Sequence, residues 1–153
     1  MPSRRRGVPG LYRRGRRGTQ RLSRRMNVDA INDRSGQVVD AAMRVHSALG
    51  PGLLEGAYEA CLAYELRQRG LRVLAQLPLP VVYEGVRIEL GYRVDLLVDD
   101  AVVVELKAVA KLLPIHEAQL LSYLKLSEYR VGLLNNFHVL HLKDGIKRMV
   151  NNL

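Results

Sequence analysis

The fold is decided by residues 91–107, which read GYRVDLLVDDAVVVELK. This stretch predicts two apolar strands around an acidic turn, and three charged residues interrupt the apolar pattern: Asp95, Glu105 and Lys107. A charge inside a buried strand costs several kcal/mol unless it is paired or binds a metal. Because residues 102–106 predict a strand that is buried on both faces, a surface hairpin with a solvated Glu-Lys pair is the less favoured interpretation.

The length of the turn decides whether the two carboxylates share a face of the sheet. A two-residue turn over residues 99–100 would set Asp95 opposite Val104, whose side chain points to the other face. A three-residue turn over residues 99–101 sets Asp95 opposite Glu105, with Cβ atoms roughly 5 Å apart. We therefore expect a three-residue turn or a bulge at this hairpin.

Two carboxylates and a lysine on facing strands suit a metal-dependent phosphodiesterase. Carboxylate oxygens bind a hard divalent cation such as Mg²⁺, with Mn²⁺ as a substitute. Such a cation lowers the pKa of a bound water and clamps the phosphate. Lys107 would orient that water or neutralise charge on the phosphorane.

The net charge of +9 is concentrated at one end of the chain. Residues 1–25 contain ten arginines and no acidic residue, whereas the body from Met26 has 14 basic and 15 acidic residues. Since residues 1–25 are almost free of apolar side chains, they predict a disordered Arg-rich tail. The tail is interpreted as a phosphate-binding arm, a transit peptide without amphipathic periodicity, or a stretch that is not part of the native protein. We favour a dispensable arm or a start at Met26, with residues 26–153 as one domain.

Apolar runs and cysteine usage bear on the compartment. No apolar run reaches roughly 18 residues, so we expect no membrane span. The pattern of a signal peptide is also missing. The single cysteine, Cys61, excludes an internal disulfide and fits a reducing cytoplasm. We therefore expect a cytoplasmic protein.

Hydrophobic periodicity predicts one α/β domain in which two helices come first. A helix over residues 36–49 ends at a Gly-Pro-Gly sequence, and a second helix covers residues 53–69. The remaining predicted elements are strands over 71–74, 79–83, 86–98 and 101–107, a helix of about 115–126, a hairpin of 130–134 with 137–142, and a terminal strand over 146–150.

Two further motifs flank the hairpin. Residues 52–58 read GLLEGAY, which fits G-x-x-E-x-x-Y, and residues 119–123 read QLLSY, which fits Q-x-x-x-Y. Together with Asp95 and the Glu-x-Lys sequence at 105–107, they resemble the GxxExxY family of the PD-(D/E)XK nuclease superfamily, including its RecB-like helix motif. The resemblance covers about residues 33–150. It implies a restriction-endonuclease-like α/β core, with a mixed central β-sheet flanked by helices.

The resemblance implies a role for each acidic and basic motif residue. Asp95 would be the central metal ligand, and Glu105 would be the second. Lys107 would be the catalytic lysine, and Glu55 would be an accessory ligand of the metal or of water. Val94 stands where the superfamily motif has proline, a departure that many members share.

The helix residues of the motifs also have structural interpretations. The resemblance implies that Gln119 and Tyr123, four apart on one helix face, steady the site or touch the DNA backbone. Without the resemblance, a structural interpretation fits these two residues as well as a functional one: Gln119 as a surface amide and Tyr123 as a half-buried ring. Glu55 lies in the first turn of a helix, where a carboxylate favours the helix dipole, so without the family it would be interpreted as structural.

The leading hypothesis is a Mg²⁺-dependent nuclease that hydrolyses phosphodiester bonds, in DNA rather than RNA. The alternative is a catalytically silent nuclease-fold module that binds nucleic acid or a protein partner, and the complete set of Asp95, Glu105 and Lys107 argues against it. RNA binding through the arginine tail is a third hypothesis, which the nearly neutral body disfavours. Cleavage of two strands would suit a homodimer, although the sequence indicates no dimer face.

Overall fold

The computed structural model describes residues 26–153. The expected disordered tail over residues 1–25 lies outside the described residues. Within the described range, the elements in chain order are α1 (Val28–Leu49), α2 (Glu55–Gln68), β1 (Val73–Tyr83), β2 (Val86–Val98), β3 (Val102–Lys107), α3 (Pro114–Ser127), β4 (Val131–Asn136), a 3₁₀-helix (Leu142–Gly145) and β5 (Ile146–Val150). No helix between residues 26 and 153 is long and apolar enough to cross a membrane.

The described strands form one mixed sheet in the order β1-β2-β3-β4-β5. Neighbouring strands are antiparallel except β3 and β4, which run parallel. A parallel pair needs a crossover connection, and α3 supplies it between β3 and β4. The expected α/β class, a mixed sheet flanked by helices, is therefore confirmed.

Helices cover both faces of the sheet. On one face α1 and α2 pack against β3 and β4, with Leu62 and Val104 fully buried among the core residues. On the other face α3 packs against alternate residues of the same strands, including Val103. Gly132 lets α3 approach closely, because a Cβ at that position would lie 2.9 Å from a methyl carbon of Leu120. The central strands are thus buried on both sides, as the apolar run in β3 predicts.

The turn between β2 and β3 has the predicted three residues. Val98 pairs with Val102, and Asp99 and Asp100 adopt the left-handed conformation with φ values of 49° and 51°. The Asp99 carboxylate fastens the turn, since its oxygens accept hydrogen bonds from the backbone N–H of Arg72 and from the Arg34 side chain. The turn fixes the register that brings residue 95 opposite residue 105.

Three predictions of local structure were wrong. Helix α1 begins at Val28 rather than at residue 36, and the strands expected over 71–74 and 79–83 are one strand, β1. The expected hairpin between 130–134 and 137–142 does not form. Residues 137–142 are mostly apolar, but β4 already has β3 on one side and β5 on the other. The apolar residues therefore form no strand, and Leu140 remains 82% exposed.

Candidate functional site

Asp95 and Glu105 lie side by side where β2 and β3 separate. Beyond the backbone pair of Leu96 with Val104, side chains bridge the two strands. The backbone N–H of Asp95 donates to Oε1 of Glu105 at 3.2 Å, and the backbone N–H of Leu106 donates to Oδ2 of Asp95 at 2.8 Å. The two carboxyl groups therefore share one site, and each is held by the strand that carries the other.

The site is rich in negative charge and poor in positive charge. Glu105 is only 7% exposed. Burial, followed by the charge of Asp95, raises the pKa of Glu105 from 4.5 to about 8, although the Lys107 ammonium lowers the pKa to a smaller extent. Among residues 26–153, neither Asp95 nor Glu105 forms a salt bridge. An added cation would therefore relieve the repulsion between the two carboxylates.

The G-x-x-E-x-x-Y motif builds the turn that presents Glu55. Gly52 has φ 107°, a conformation that other residues rarely adopt. Tyr58 is fully buried, and its hydroxyl donates to the carbonyl of Gly50 and accepts from the N–H of Leu53 at 3.1 Å. The motif tyrosine thus fixes the chain before α2, and Glu55 is the first residue of that helix.

Glu55 and Lys107 meet at the carboxyl end of β3. Oε1 of Glu55 accepts a hydrogen bond at 3.2 Å from the backbone N–H of Ala108, the residue that follows Lys107. Because Glu105 and Lys107 are two residues apart, their side chains leave the strand on the same face. Residues from α2, β2 and β3 therefore converge at this end of the sheet.

Tyr123 lies near the carboxylates on α3, whereas no hydrogen bond joins the side chain of Gln119 to them within residues 26–153. Tyr123 is 6% exposed, and its ring packs edge-on against Tyr92 with ring centres 4.4 Å apart. Burial raises the pKa of the Tyr123 hydroxyl, and the nearby charges of Glu105 and Asp95 raise it further. Gln119 is half-buried one turn earlier, and within the described residues its side chain makes no hydrogen bond.

Two residues outside the motifs also contact the site. The side-chain amide of Gln76 in β1 donates to Oδ1 of Asp95 at 3.2 Å and to Oε1 of Glu59 in α2. Burial raises the pKa of Glu59, and the charges of Asp95 and Glu55 raise it further, while the Gln76 hydrogen bond opposes the shift. Glu59 could have been found from the sequence, because it lies four residues after Glu55 on the same helix face. Gln76 carries no such signal.

Asn136 holds the chain that follows Lys107. Its side chain is 2% exposed. Oδ1 accepts from the backbone N–H of Val109 at 3.1 Å, and Nδ2 donates to the Val109 carbonyl at 2.9 Å. The amide thus hydrogen-bonds the backbone just beyond the end of β3, as a neighbouring strand would. These bonds fix the direction in which the chain leaves Lys107.

A shallow polar groove lies elsewhere, between the outer surfaces of α1 and α2. Its lining includes Asp40, Arg44, Tyr64 and Arg69. It contains none of the motif residues, and the salt bridge between Arg69 and Asp40 at 2.7 Å already pairs its charges. The groove is therefore separate from the carboxylate pair.

The chemistry of the carboxylates fits Mg²⁺. Within residues 26–153, no group of three or more His, Cys, Asp or Glu side chains is arranged as a metal centre. Mg²⁺ does not need such a group, since proteins commonly hold it through one or two carboxylates, with water and phosphate oxygens completing the octahedron. Asp95 and Glu105 supply two carboxylates in one place, with no salt bridge to satisfy them.

A protein-family comparison agrees with this geometry. The model of the PD-(D/E)XK nuclease superfamily matches residues 32–149, which is most of the chain. The chain therefore belongs to the PD-(D/E)XK nuclease superfamily, whose members are generally nucleases. Searches of curated proteins and of solved structures found no match. The narrower assignment to the GxxExxY family stays a prediction.

Proposed function

We propose that this protein is a Mg²⁺-dependent nuclease that hydrolyses phosphodiester bonds in DNA, and that it belongs to the GxxExxY family. The observation that carries the proposal is the contact between Asp95 and Glu105, where a buried carboxyl group with a raised pKa faces a second carboxylate without a salt bridge. Membership of the superfamily supports the same conclusion. Perturbed carboxylates in a shared site are typical of catalytic centres.

Asp95 and Glu105 would hold the cation, and Glu55 would add a ligand for the metal or for its water. Bound there, Mg²⁺ supplies an activated water and positive charge for the phosphate. The hydrogen bonds from Leu106 and Gln76 leave the Asp95 oxygens with further lone pairs, because each carboxylate oxygen accepts about two bonds. The hydrogen bonds therefore orient the Asp95 carboxylate and leave its oxygens able to bind a cation.

Lys107 would act on the substrate rather than on the cation. It leaves β3 on the same face as Glu105, and its charge reaches that carboxyl group. An ammonium at this position can orient the attacking water and neutralise the charge that develops on the phosphate. Stabilisation that is needed only as charge develops lowers the barrier without tightening binding of the ground state.

Tyr123 and Gln119 would steady the site from α3. Because the pKa of Tyr123 is raised, its hydroxyl stays protonated over the working pH range. It can therefore donate a hydrogen bond to a carboxylate or to a phosphate oxygen, but it cannot act as a base. Gln119 would add an amide on the same helix face, towards the DNA backbone.

The test is a cleavage assay on the purified chain with duplex DNA, single-stranded DNA and RNA of the same sequence. We expect cleavage of DNA with Mg²⁺ or Mn²⁺, no cleavage with EDTA, and slower action on RNA. Binding of DNA without cleavage under any metal condition would favour the silent-module alternative. Sedimentation of the protein with and without duplex DNA would show whether a homodimer forms, and cell fractionation would test the proposed cytoplasmic location.

A further inference from the structure

Gln76 adopts a left-handed backbone conformation in the middle of β1. Its φ is 53°, while the residues on either side of it pair regularly with Val94 and Leu96 of β2. Residues other than glycine rarely adopt this region, and the surrounding structure must hold them there. The irregularity falls on the one residue of β1 that lies opposite Asp95 in the strand register.

The contacts of Gln76 show what this conformation achieves. Its Nε2 donates to Oδ1 of Asp95 at 3.2 Å, and the same nitrogen donates to Oε1 of Glu59. The other oxygen of Asp95 accepts from the N–H of Leu106 at 2.8 Å. Donors on two different strands therefore hold both oxygens of one carboxylate, and rotation of that carboxylate would break both hydrogen bonds.

A neutral amide suits this position better than a charged donor. The amide NH₂ has two hydrogens, and Gln76 directs them to two carboxylates without adding charge. A lysine at the same place would also donate, but it would neutralise Asp95 and compete with a cation. Hydrogen bonds of this kind, made to a ligand rather than to the metal, orient the ligand and tune the affinity of the site.

We infer that Gln76 is a positioning residue of the proposed metal site. Its side chain is anchored by Glu59 and orients Asp95 for the cation. The inference rests on the proposed function and deepens it, since Gln76 belongs to none of the sequence motifs. Gln76 would act on the site by orienting Asp95, and it would not contact the phosphate.

The test compares Gln76→Met with wild type by calorimetric titration of Mn²⁺, followed by DNA cleavage at several metal concentrations. Methionine has nearly the same shape but no donor. We expect Mn²⁺ affinity to fall about 10- to 100-fold, the range typical of a lost partner of a metal ligand. Cleavage should recover largely at saturating metal, and the KM for DNA should stay near wild type. Gln68→Met, at the exposed end of α2, is the matched control and should change neither value.

A second variant separates positioning from folding. Gln76→Gly removes the amide but relieves the backbone, because glycine adopts a positive φ without a steric penalty. The melting temperature of metal-free Gln76→Gly should therefore equal or exceed that of wild type, while its Mn²⁺ affinity falls as in Gln76→Met. If Gln76 had only a structural role, the melting temperature and the Mn²⁺ affinity would fall together.

The outcomes distinguish this inference from the proposed function. Wild type that binds Mn²⁺ and cleaves DNA, with both variants equal to it in Mn²⁺ affinity, would overturn the inference alone. A loss of affinity in only one of the two variants would also overturn it, because the missing donor is common to both. Wild type that neither binds Mn²⁺ nor cleaves would overturn the proposed function and the inference together.

Discussion

The carboxylate of Glu55 accepts a hydrogen bond from the backbone N–H of Ala108, 53 residues further along the chain, at 3.2 Å. This contact joins the first turn of α2 to the end of β3, immediately after the Glu-x-Lys sequence. Two motifs that are distant in sequence thus meet in space. Glu55 is therefore a hydrogen-bond acceptor at this contact, and we propose that it has a second, separable role as a ligand of the metal or of its water.

Substitutions of Glu55 should separate these roles. Glu55→Gln keeps an acceptor for the Ala108 N–H, so its melting temperature should match wild type while its cleavage falls roughly tenfold, as for a lost accessory ligand. Glu55→Ala should show the same loss of cleavage and should also lose about 0.5–1.5 kcal/mol of unfolding free energy, the net value of one hydrogen bond. Denaturant unfolding and initial cleavage rates measure the two effects. Wild-type cleavage by Glu55→Gln would remove Glu55 from the site.

Lys107→Ala should lose turnover and keep the metal. We expect the cleavage rate at saturating DNA and Mg²⁺ to fall about 10²-fold or more, which is typical for loss of one group that stabilises developing charge. Mn²⁺ affinity should stay near wild type, because the lysine is not a ligand. Lys111→Ala removes the same charge from an exposed position four residues away and serves as the control. Equal rates for Lys107→Ala and Lys111→Ala would rule out the catalytic role of Lys107.

The raised pKa of Glu105 predicts how stability changes with pH in the absence of metal. The pKa is 4.5 as the ordinary value and about 8 in the folded protein, so the folded state retains a proton that the unfolded chain releases. The resulting stabilisation is fully present below pH 4.5 and is lost as the pH rises through 8, with a slope of at most about 1.4 kcal/mol per pH unit. Unfolding in denaturant at several pH values should show this decline.

Glu105→Gln is the matched variant for the pH prediction. It cannot ionise, so the decline between pH 4.5 and about 8 should flatten, and the variant should be more stable than wild type at pH 8. A cation bound at Glu105 would have to displace its proton, so the account predicts that the metal affinity of wild type rises over the same range. Identical pH profiles for wild type and Glu105→Gln would contradict the raised pKa.

Local patterns predicted the elements that form the carboxylate pair. The alternation in residues 86–98 matches β2, and the requirement that Asp95 and Glu105 share a face of the sheet predicted the three-residue turn. The predicted hairpin of 130–134 with 137–142 was wrong because the apolar residues of 137–142 do not indicate which strand edges are free, and both edges of β4 are paired. The positive φ of Gln76 was also beyond prediction, since it accompanies contacts with Asp95 on another strand and Glu59 in α2, which local sequence does not reveal. The period of the apolar residues predicts which face of a strand is buried, whereas the strands that pair with it depend on the assembled sheet.

A chain that begins at Met26 should fold as well as the full chain. Such a chain retains the hydrogen bond at the start of the described domain, in which Arg130 donates to the carbonyl of Met26 at 3.0 Å. Melting temperatures should agree, and cleavage at saturating DNA should survive. If the ten arginines of residues 1–25 contact phosphates, the truncated chain should bind DNA more weakly. Each lost contact should lower the slope of log affinity against log salt by about 0.9. An unfolded truncated chain would show that the domain begins earlier.

The central claim is that Asp95 and Glu105 form a divalent-metal site, and calorimetric titration of Mn²⁺ into wild type and Asp95→Asn tests it most directly. Wild type should bind one or two ions, and Mg²⁺ at about 100 times its Kd should add about 2.7 kcal/mol of stability. Asp95→Asn should lose the binding and the stabilisation, whereas Asp144→Asn, at an exposed aspartate of the 3₁₀-helix, should keep both. Equal Mn²⁺ binding by wild type and Asp95→Asn, or none by either, would contradict the account.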